Sequence, residues 1–247
     1  MNSTSAQKPL VSVVMPVYNE RRTVVTVIDD LLGRTFDHFE IELIIVESNS
    51  DDGTRDLLAP YQSRCHVTLI LQEEPRGKGA AVRLGLTLVR GEIILIQDAD
   101  LEYDISDYPA LILPIIEGQA DVVLGNRGHR TGPIRTMEGE AISSAITNLG
   151  HSVFAKIFNT IYRQKLRDPF TMFKVFRTDC IQGISFVSNR FDFDWELLAK
   201  LCRRGYTPLE VPVNYKSRGF LDGKKVRWVR DPLSWIWAAI RFRFGHL

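Results

Sequence analysis

The sequence predicts an α/β protein, a mostly parallel sheet flanked by helices. Three observations carry that expectation. Short apolar, β-branched runs alternate with segments of helical spacing, so successive strands are joined by crossovers. The unusual polar residues fall just after strands, at the edge where open α/β sheets bind ligands. The chain's 247 residues, 45% of them hydrophobic, suffice for one large domain with a sizeable core.

Val11 to Val17 reads as the first buried strand and runs into Pro16-Val17-Tyr18-Asn19-Glu20. Thr23 to Leu32 follows at helical spacing, with Gly33 as its stop. The second strand, Ile41 to Val46, leads into Glu47-Ser48-Asn49-Ser50-Asp51-Asp52-Gly53-Thr54, where Asn49 shapes the turn. A helix over Arg55 to Tyr61 and a strand over Val67 to Leu71 come next. Arg76-Gly77-Lys78-Gly79 then opens a helix reaching about Val89. The fourth strand is Ile93 to Gln97, and helix Ile105 to Glu117 precedes a fifth at Asp121 to Leu124, which enters Gly125-Asn126-Arg127. There the alternation breaks. Gly128 to Gly139 is a Gly/Arg/Thr loop, and Ala141 to Tyr162 a long helix. Phe173 to Phe176 is a strand, and Leu209 to Tyr215 the last one. Between them Asp194 to Arg204 is an amphipathic helix with Trp195, Leu198, Leu201 and Cys202 on one face. The expected organisation is one domain over 1–247, with 10–127 as a ligand-binding half and 128–230 as a second half on the same sheet. Residues 231–247 form a C-terminal amphipathic helix.

A formal net charge of +1 implies no polyanion partner, and nucleic acid is not expected. Locally the balance differs: Lys216, Arg218, Lys224, Lys225, Arg227, Arg230, Arg241 and Arg243 stand against Asp222 and Asp231, a net of +6. The rest of the chain is therefore acidic. Cys65, Cys180 and Cys202 are widely spaced and odd in number, which fits a reducing, cytoplasmic compartment. Residues 1–9 lack the apolar core of a secretion signal, and no window approaches the ~20 apolar residues of a membrane span.

The chemistry centres on Gln97-Asp98-Ala99-Asp100-Leu101-Glu102-Tyr103. Two carboxylates one residue apart at the end of a buried strand could share one Mg²⁺ or Mn²⁺ with a diphosphate. Mg²⁺ takes a carboxylate or two and fills its shell with phosphate oxygens and water. Tyr18 to Glu20, Glu47 to Asn49, Asp98 to Glu102 and Arg127 would gather along the same edge.

These stretches together resemble the family 2 glycosyltransferases of GT-A fold, in particular the soluble domain of polyprenyl-phosphate hexosyltransferases. Pro16 to Glu20 matches that family's P-x-Y-N-E, and Val46 to Thr54 its V-D-D-x-S-x-D-G-T. Gly77-Lys78-Gly79-Ala80-Ala81 matches G-K-G-x-A, and Asp98-Ala99-Asp100-Leu101 matches D-A-D-L. Asp168-Pro169, Phe193-Asp194 with Glu196-Leu197-Leu198, and Glu210-Val211-Pro212-Val213 follow in order, so the likeness covers about residues 10 to 220. There are departures. Glu47-Ser48 replaces Asp-Asp. Asp168-Pro169-Phe170-Thr171-Met172-Phe173 replaces D-P-T-S-G-F with a bulkier lining. The closing R-x-x-G-x-S-K is not cleanly present around Arg218, Gly223 and Lys224. Lys224-Lys225-Val226-Arg227-Trp228 lacks the Gln of the processive synthases' Q-x-x-R-W, which argues for single transfers.

The resemblance implies a Rossmann-like GT-A sheet and an inverting transfer of one hexose from a UDP- or GDP-linked sugar to a polyprenyl-phosphate or glycan acceptor. It implies a metal held by Asp98 and Asp100, with Glu102 as a further oxygen ligand. Pro16, Tyr18 and Glu20 would wall the nucleoside, and Glu47 would accept from a base N–H. Lys78 would meet phosphate at a helix amino terminus. Arg127, Arg218 and Lys224 would clamp a diphosphate or an acceptor phosphate. Asp194 or Glu196 would be the general base toward a hydroxyl acceptor; a lipid-phosphate acceptor would need none, and Glu196 would instead orient acceptor-side cations. Rival readings fit less well. A dinucleotide fingerprint would follow the first strand and have a small residue where Val82 stands. A sugar nucleotidyltransferase would carry a Gly-rich loop after the first strand. A non-catalytic nucleotide-sugar-binding subunit has no need of the Asp98 and Asp100 pair.

Pro232 to Phe244, taken as a helix at ~100° per residue, has two apolar faces. Leu233, Ile236, Trp237, Ile240 and Phe244 share one. Trp235, Ala238, Ala239 and Phe242 share the other. One face packs on the body. The second meets a membrane surface, the inner face of the bilayer on this reading, or a sister subunit in a homo-oligomer. The sequence expectation is that the Trp235 and Phe242 face is the outer one.

Overall fold

A computed structural model describes residues 8–128, 133–134, 141–217 and 240–245. Its strands are β1 (Leu10–Val17), β2 (Glu40–Glu47), β3 (Val67–Leu71), β4 (Ile93–Ile96), β5 (Val122–Asn126), β6 (Lys174–Arg177) and β7 (Leu209–Pro212). They form one sheet in the order β3-β2-β1-β4-β6-β5-β7. Only β6 runs against its neighbours, pairing antiparallel with β4 and β5; every other pairing is parallel. The carboxyl ends of β1, β2, β4 and β5 therefore lie on one edge, and the second half of the chain adds β6 and β7 to the same sheet. The helices are α1 (Val24–Gly33), α2 (Thr54–Leu58), α3 (Lys78–Leu86), α4 (Tyr108–Ile116), α5 (Ala141–Tyr162) and α6 (Phe193–Arg203).

The two-residue period of the strands sorts the core. Val11, Val13, Met15 and Val17 of β1 pack with Leu43 and Ile45 against residues of α1 and α4. Val14, with Ile94 and Ile96, packs on the other face against Val82 and Leu86 of α3 and Phe193, Leu197 and Leu201 of α6. α3 lies so close to the sheet that a Cβ on Gly85 would stand 2.5 Å from Val14 Cγ1.

Several elements end earlier than their apolar patterns. The helix expected to reach Val89 closes at Leu86, where the Thr87 hydroxyl donates to Leu84 O at 2.7 Å. The stretch from Ile105 begins as a 3₁₀ turn, which the Asp104 carboxylate caps by accepting Ser106 N–H at 2.8 Å. Past Pro212 the chain leaves the sheet: Asn214 bonds Asp107, and Tyr215 makes a single antiparallel bridge with Tyr103.

α6 is the clearest departure. Instead of one apolar face it is buried from Phe193 to Leu201. Trp195 and Leu198 join a core with Leu124, Phe158 and Phe242, while Leu197 and Leu201 face the sheet. Its Glu196 and Lys200 form an internal ion pair at 2.8 Å, both essentially without solvent contact.

Past β5 a second buried ion pair fixes the chain. Asp168 accepts Arg127 Nε and Nη2 at 2.7 Å each and the Arg127 backbone N–H at 3.1 Å. Asp168 N–H in turn donates to Glu210 at 2.7 Å, tying the loop before β6 to β7. Burial opposes the Asp168 carboxylate, but Arg127 holds its pKa below the ordinary range.

Two consequences are measurable. Gly85→Ala should cost about 1–3 kcal/mol through overpacking. Gly33→Ala, where no atom lies within 4 Å of the added carbon, should be neutral or slightly stabilising. Urea unfolding of both checks this, and equal destabilisation would contradict the close packing of α3. Asp168→Asn should lose about 3–5 kcal/mol by leaving a buried guanidinium unpaired. Because the folded pKa of Asp168 is depressed, its contribution is present above the unfolded value of ~3.9 and lost as pH falls through the folded value. The variant's stability should therefore fall less than the wild type's below about pH 4.

Candidate active site

The loop after β4 is held from several sides. Thr23 Oγ1 donates to Ala99 O at 2.9 Å, Gln97 Nε2 to Asp98 O at 2.8 Å, and Glu102 N–H to Asp100 Oδ1 at 3.0 Å. Gln97 is fully buried and fixed by the Tyr108 hydroxyl at 3.1 Å. Lys216 N–H donates to Glu102 O at 2.8 Å, which fastens the segment after β7 to the same loop. Asp98 and Asp100 thus stand at a rigid strand end.

Lys78 reaches Asp98 Oδ1 at 2.5 Å and lies 3.4 Å from Met172 Sδ. Burial disfavours its ammonium, yet Asp98 and then Asp194 outweigh that, and its pKa is raised. Lys174, buried in β6 opposite Ile96, donates to Thr171 O and to Asp194 Oδ1 at 3.2 Å. For Lys174 burial wins, and its pKa is lowered despite Asp194. Asp98, Asp194, Lys78 and Lys174 therefore form one charge cluster with Asp100, which also acts on Lys78. Lys174 was not anticipated: a lysine in Phe173-Lys174-Val175-Phe176 looks like the wet face of an edge strand, whereas β6 lies between two neighbours.

Tyr18 is 37% exposed at the end of β1, beside the half-buried Glu20, while Pro16 is buried within the strand. The loops after β1 and β2 are laced together. Asn19 N–H donates to Ser50 Oγ at 2.9 Å, Asn19 Nδ2 to Asp51 at 2.8 Å, and Glu20 N–H to Thr54 Oγ1 at 3.0 Å. Asn19 and Asn49 both adopt positive φ, at 52° and 56°, so each turns the chain just after a strand. Ser50, Asp51 and Thr54 thus explain much of their motif as scaffolding for residues 19 and 20.

Three of the expected site side chains are taken up by partners within the protein. Glu47 is fully buried and accepts Asn49 N–H, Ser50 N–H and Arg55 Nε, so its carboxylate shapes the turn and is not presented to a base. Glu196 is also fully buried; it accepts Val187 and Ser188 N–H as well as Lys200, and so braces the loop before α6 instead of acting on substrate. Arg127 is committed to Asp168 and lies over the Tyr215 ring at 5.2 Å, so its guanidinium is not extended toward a phosphate. The glycines around Lys78 are tightly packed. A Cβ on Gly77 would stand 2.4 Å from Asn189 O, one on Gly79 2.6 Å from Phe193 Cβ, and Ala80 N–H already donates to Asn189 O. Of the bulkier lining, Phe170 stacks on Trp195 at 4.1 Å, while Met172 faces Lys78. Arg218 and Lys224 lie outside the described residues.

Glu102, the expected third metal ligand, bonds within the protein. Glu102 Oε2 accepts the Tyr215 hydroxyl at 3.0 Å, and no three His, Cys, Asp or Glu among the described residues converge as a cation site. Asp98 and Asp100 remain as hard carboxylate donors, and a lysine ammonium already stands on one of them. This set suits Mg²⁺ or Mn²⁺ when phosphate oxygens and water complete the shell.

Comparison with known proteins agrees with the architecture. A dolichyl-phosphate beta-glucosyltransferase of Dictyostelium discoideum is 26% identical over 250 aligned residues, covering 96% of this chain and 74% of that protein. Glycosyltransferase AglJ of Haloferax volcanii is 25% identical over 209 residues, covering 84% of this chain. The chain spans only 63% of AglJ and 50% of a second Haloferax volcanii relative, the hexosyltransferase Agl6. Glucosyl-3-phosphoglycerate synthase of Mycobacterium tuberculosis, solved with Mn²⁺, UDP and phosphoglyceric acid, superposes with a TM-score of 0.66 at 19% identity, covering 96% of this chain and 79% of that one. The Glycosyl transferase family 2 model matches residues 12–197, and the chain belongs to that family of glycosyltransferases.

Proposed function

We propose that the chain is a divalent-metal-dependent, inverting glycosyltransferase that moves one hexose from a UDP- or GDP-linked sugar to a polyprenyl-phosphate or other membrane-associated acceptor. The observation that carries the reading is the pair Asp98 and Asp100, fixed at the carboxyl end of β4 beside Lys78 and Asp194. As the glycosidic bond breaks, negative charge grows on the departing diphosphate. A bound Mg²⁺ or Mn²⁺ supplies electrostatic stabilisation of that charge. Asp98 and Asp100 are the residues that would hold the ion, and Lys78 brings an ammonium to the same diphosphate. Tyr18 offers a ring face to the base, and Glu20 accepts from the ribose. On this reading residues 10–127 take the donor and 128–230 the acceptor.

The acceptor class rests on the relatives. The Dictyostelium protein's name assigns it dolichyl phosphate. A lipid phosphate is already an anion, so no general base is required of the protein. Toward a hydroxyl acceptor Asp194, which Lys174 holds, would take the proton. Asp100→Asn should keep the fold and lose well over tenfold in turnover, since one such electrostatic contact is worth ~3 kcal/mol. EDTA should abolish transfer. Proton NMR of product from an α-linked donor should show the β anomer. Full activity in EDTA or in the variant, or retention of configuration, contradicts the respective part of the reading.

A membrane surface as partner is supported by the apolar side chains that remain outside. On α5, Ile146, Leu149 and Val153 recur at helical spacing and are exposed, and the helix contains no Asp or Glu. Residues 240–244 are helical, and here the expected orientation is reversed. Phe242 is 3% exposed, packed with Trp195 and Leu198, whereas Ile240 and Phe244 are 50% and 83% exposed. Trp235 lies outside the described residues. With Arg241 beside them, these side chains suit an anionic lipid surface. Among the described residues no helix is long and apolar enough to cross a membrane. The wild type should float with anionic liposomes, and Ile240→Ser plus Phe244→Ser should sediment with the unbound fraction. Wild-type protein left at the bottom of the gradient argues against this surface.

A further inference from the structure

The Lys78–Asp98 contact has a consequence for how ligands enter. Asp98 Oδ1 already carries a cation, the Lys78 ammonium at 2.5 Å, and both side chains are largely shielded from water. A Mg²⁺ bound to the same oxygen would sit at ~2.1 Å, so ion and ammonium would stand no more than about 5 Å apart in a poorly solvated cleft. The two compete for one carboxylate. A lysine on its flexible four-carbon stem can leave, provided another anion receives it. Asp194 already accepts from Lys174, so it offers Lys78 only a carboxylate whose charge is partly compensated. Lys78 itself stands at the first position of α3, where a diphosphate in the cleft would be within reach of its swing.

We propose that Lys78 is an exchangeable internal cation: it neutralises Asp98 in the ligand-free protein, leaves that carboxylate when a divalent ion binds, and moves onto the nucleoside diphosphate. This rests on the nucleotide-sugar reading above and adds an order of events to it. Metal alone binds weakly because it must displace the lysine. Nucleotide supplies the lysine with a new partner, so metal and nucleotide bind as one coupled unit, each tightening the other by the same factor. The lysine also prevents Asp98 and Asp100 from repelling each other while the cleft waits for donor.

Free Mn²⁺, followed by its electron paramagnetic resonance signal during titration, reads the exchange without any assay of turnover. In nucleotide-free protein Lys78→Met should bind Mn²⁺ at least tenfold more tightly than wild type, and Lys78→Arg should bind like wild type. Lys78→Gln provides a second removal, and circular dichroism confirms that each variant is folded. Arg76→Gln deletes one exposed positive charge two residues away and should shift the affinity less than twofold. Saturating UDP or GDP should then tighten Mn²⁺ by a larger factor in wild type than in Lys78→Met. Unchanged or weaker Mn²⁺ binding in both Lys78→Met and Lys78→Gln overturns the proposal. So does an equal gain in Arg76→Gln, which would mark a general field effect. If neither nucleotide alters Mn²⁺ binding in any protein, the donor reading fails, and the exchange stands or falls on the nucleotide-free titration.

Discussion

Like charges cannot be gathered at the end of a buried strand unless something holds them there. Asp98 and Asp100 close β4, and Asp194 reaches the same cleft from α6. Much of the surrounding chain is spent on this concentration of negative charge. Lys78 from α3 pairs with Asp98, and Lys174 from β6 pairs with Asp194. The loop itself is bonded by Thr23, Gln97 and its own backbone, so the carboxylates are positioned by groups that carry no charge. The result is preorganisation: the carboxylates are fixed by neutral groups, and their surplus charge is held by lysines.

The sheet was legible because its signals are local. A two-residue apolar period, a β-branched run and a turn residue after it are readable without knowing what lies across the sheet, and every expected strand among the described residues is present within a few residues. The edge at which the polar strand-end residues gather was equally readable, since it follows from crossover topology. The roles of single charged residues were not readable, because each depends on a partner far away in sequence. Glu47 looks like a displaced base contact until Arg55 and two backbone N–H groups are seen to take its oxygens. Arg127 looks like a phosphate clamp until Asp168, 41 residues on, takes its guanidinium. Glu196 and Lys200, four apart, have the spacing of a solvated surface pair. In the structure they are an ion pair inside the protein.

The Gly77-Lys78-Gly79 loop shows how one motif serves two physical ends. Its lysine faces the carboxylates of the β4 loop. Its glycines answer to packing, because the carbonyls of residues 188–190 and Phe193 leave no room for a side chain. Gly77 also needs its left-handed backbone, with φ at 96°, to start α3 in that direction. The close approach brings the start of α3 against the start of α6, and with it Lys78 toward Asp194 as well as Asp98. Sequence spacing reveals a special loop but not which neighbour makes it special.

That contact explains why α6 is buried on all sides despite carrying Asp194, Glu196 and Lys200. A helix with an apolar sheet-facing side and an aromatic outer side could rotate or slide between its two layers at modest cost. Buried ion pairs resist such slippage: breaking one by removing a partner costs about 3–5 kcal/mol, even where the intact pair adds little net stability. Lys174–Asp194 ties the first turn of α6 to β6, and Glu196 ties the same turn to Val187 and Ser188, the residues just before the stretch on which α3 starts. Trp195, between them, is locked by Phe170, Phe158 and Phe154 on the opposite side. The register of α6 is thereby fixed from the sheet, from the loop and from α5 together. Asp194 can face the β4 carboxylates only in that register, so the packing of the second half of the chain sets the electrostatics of a site whose recognisable motif lies in the first.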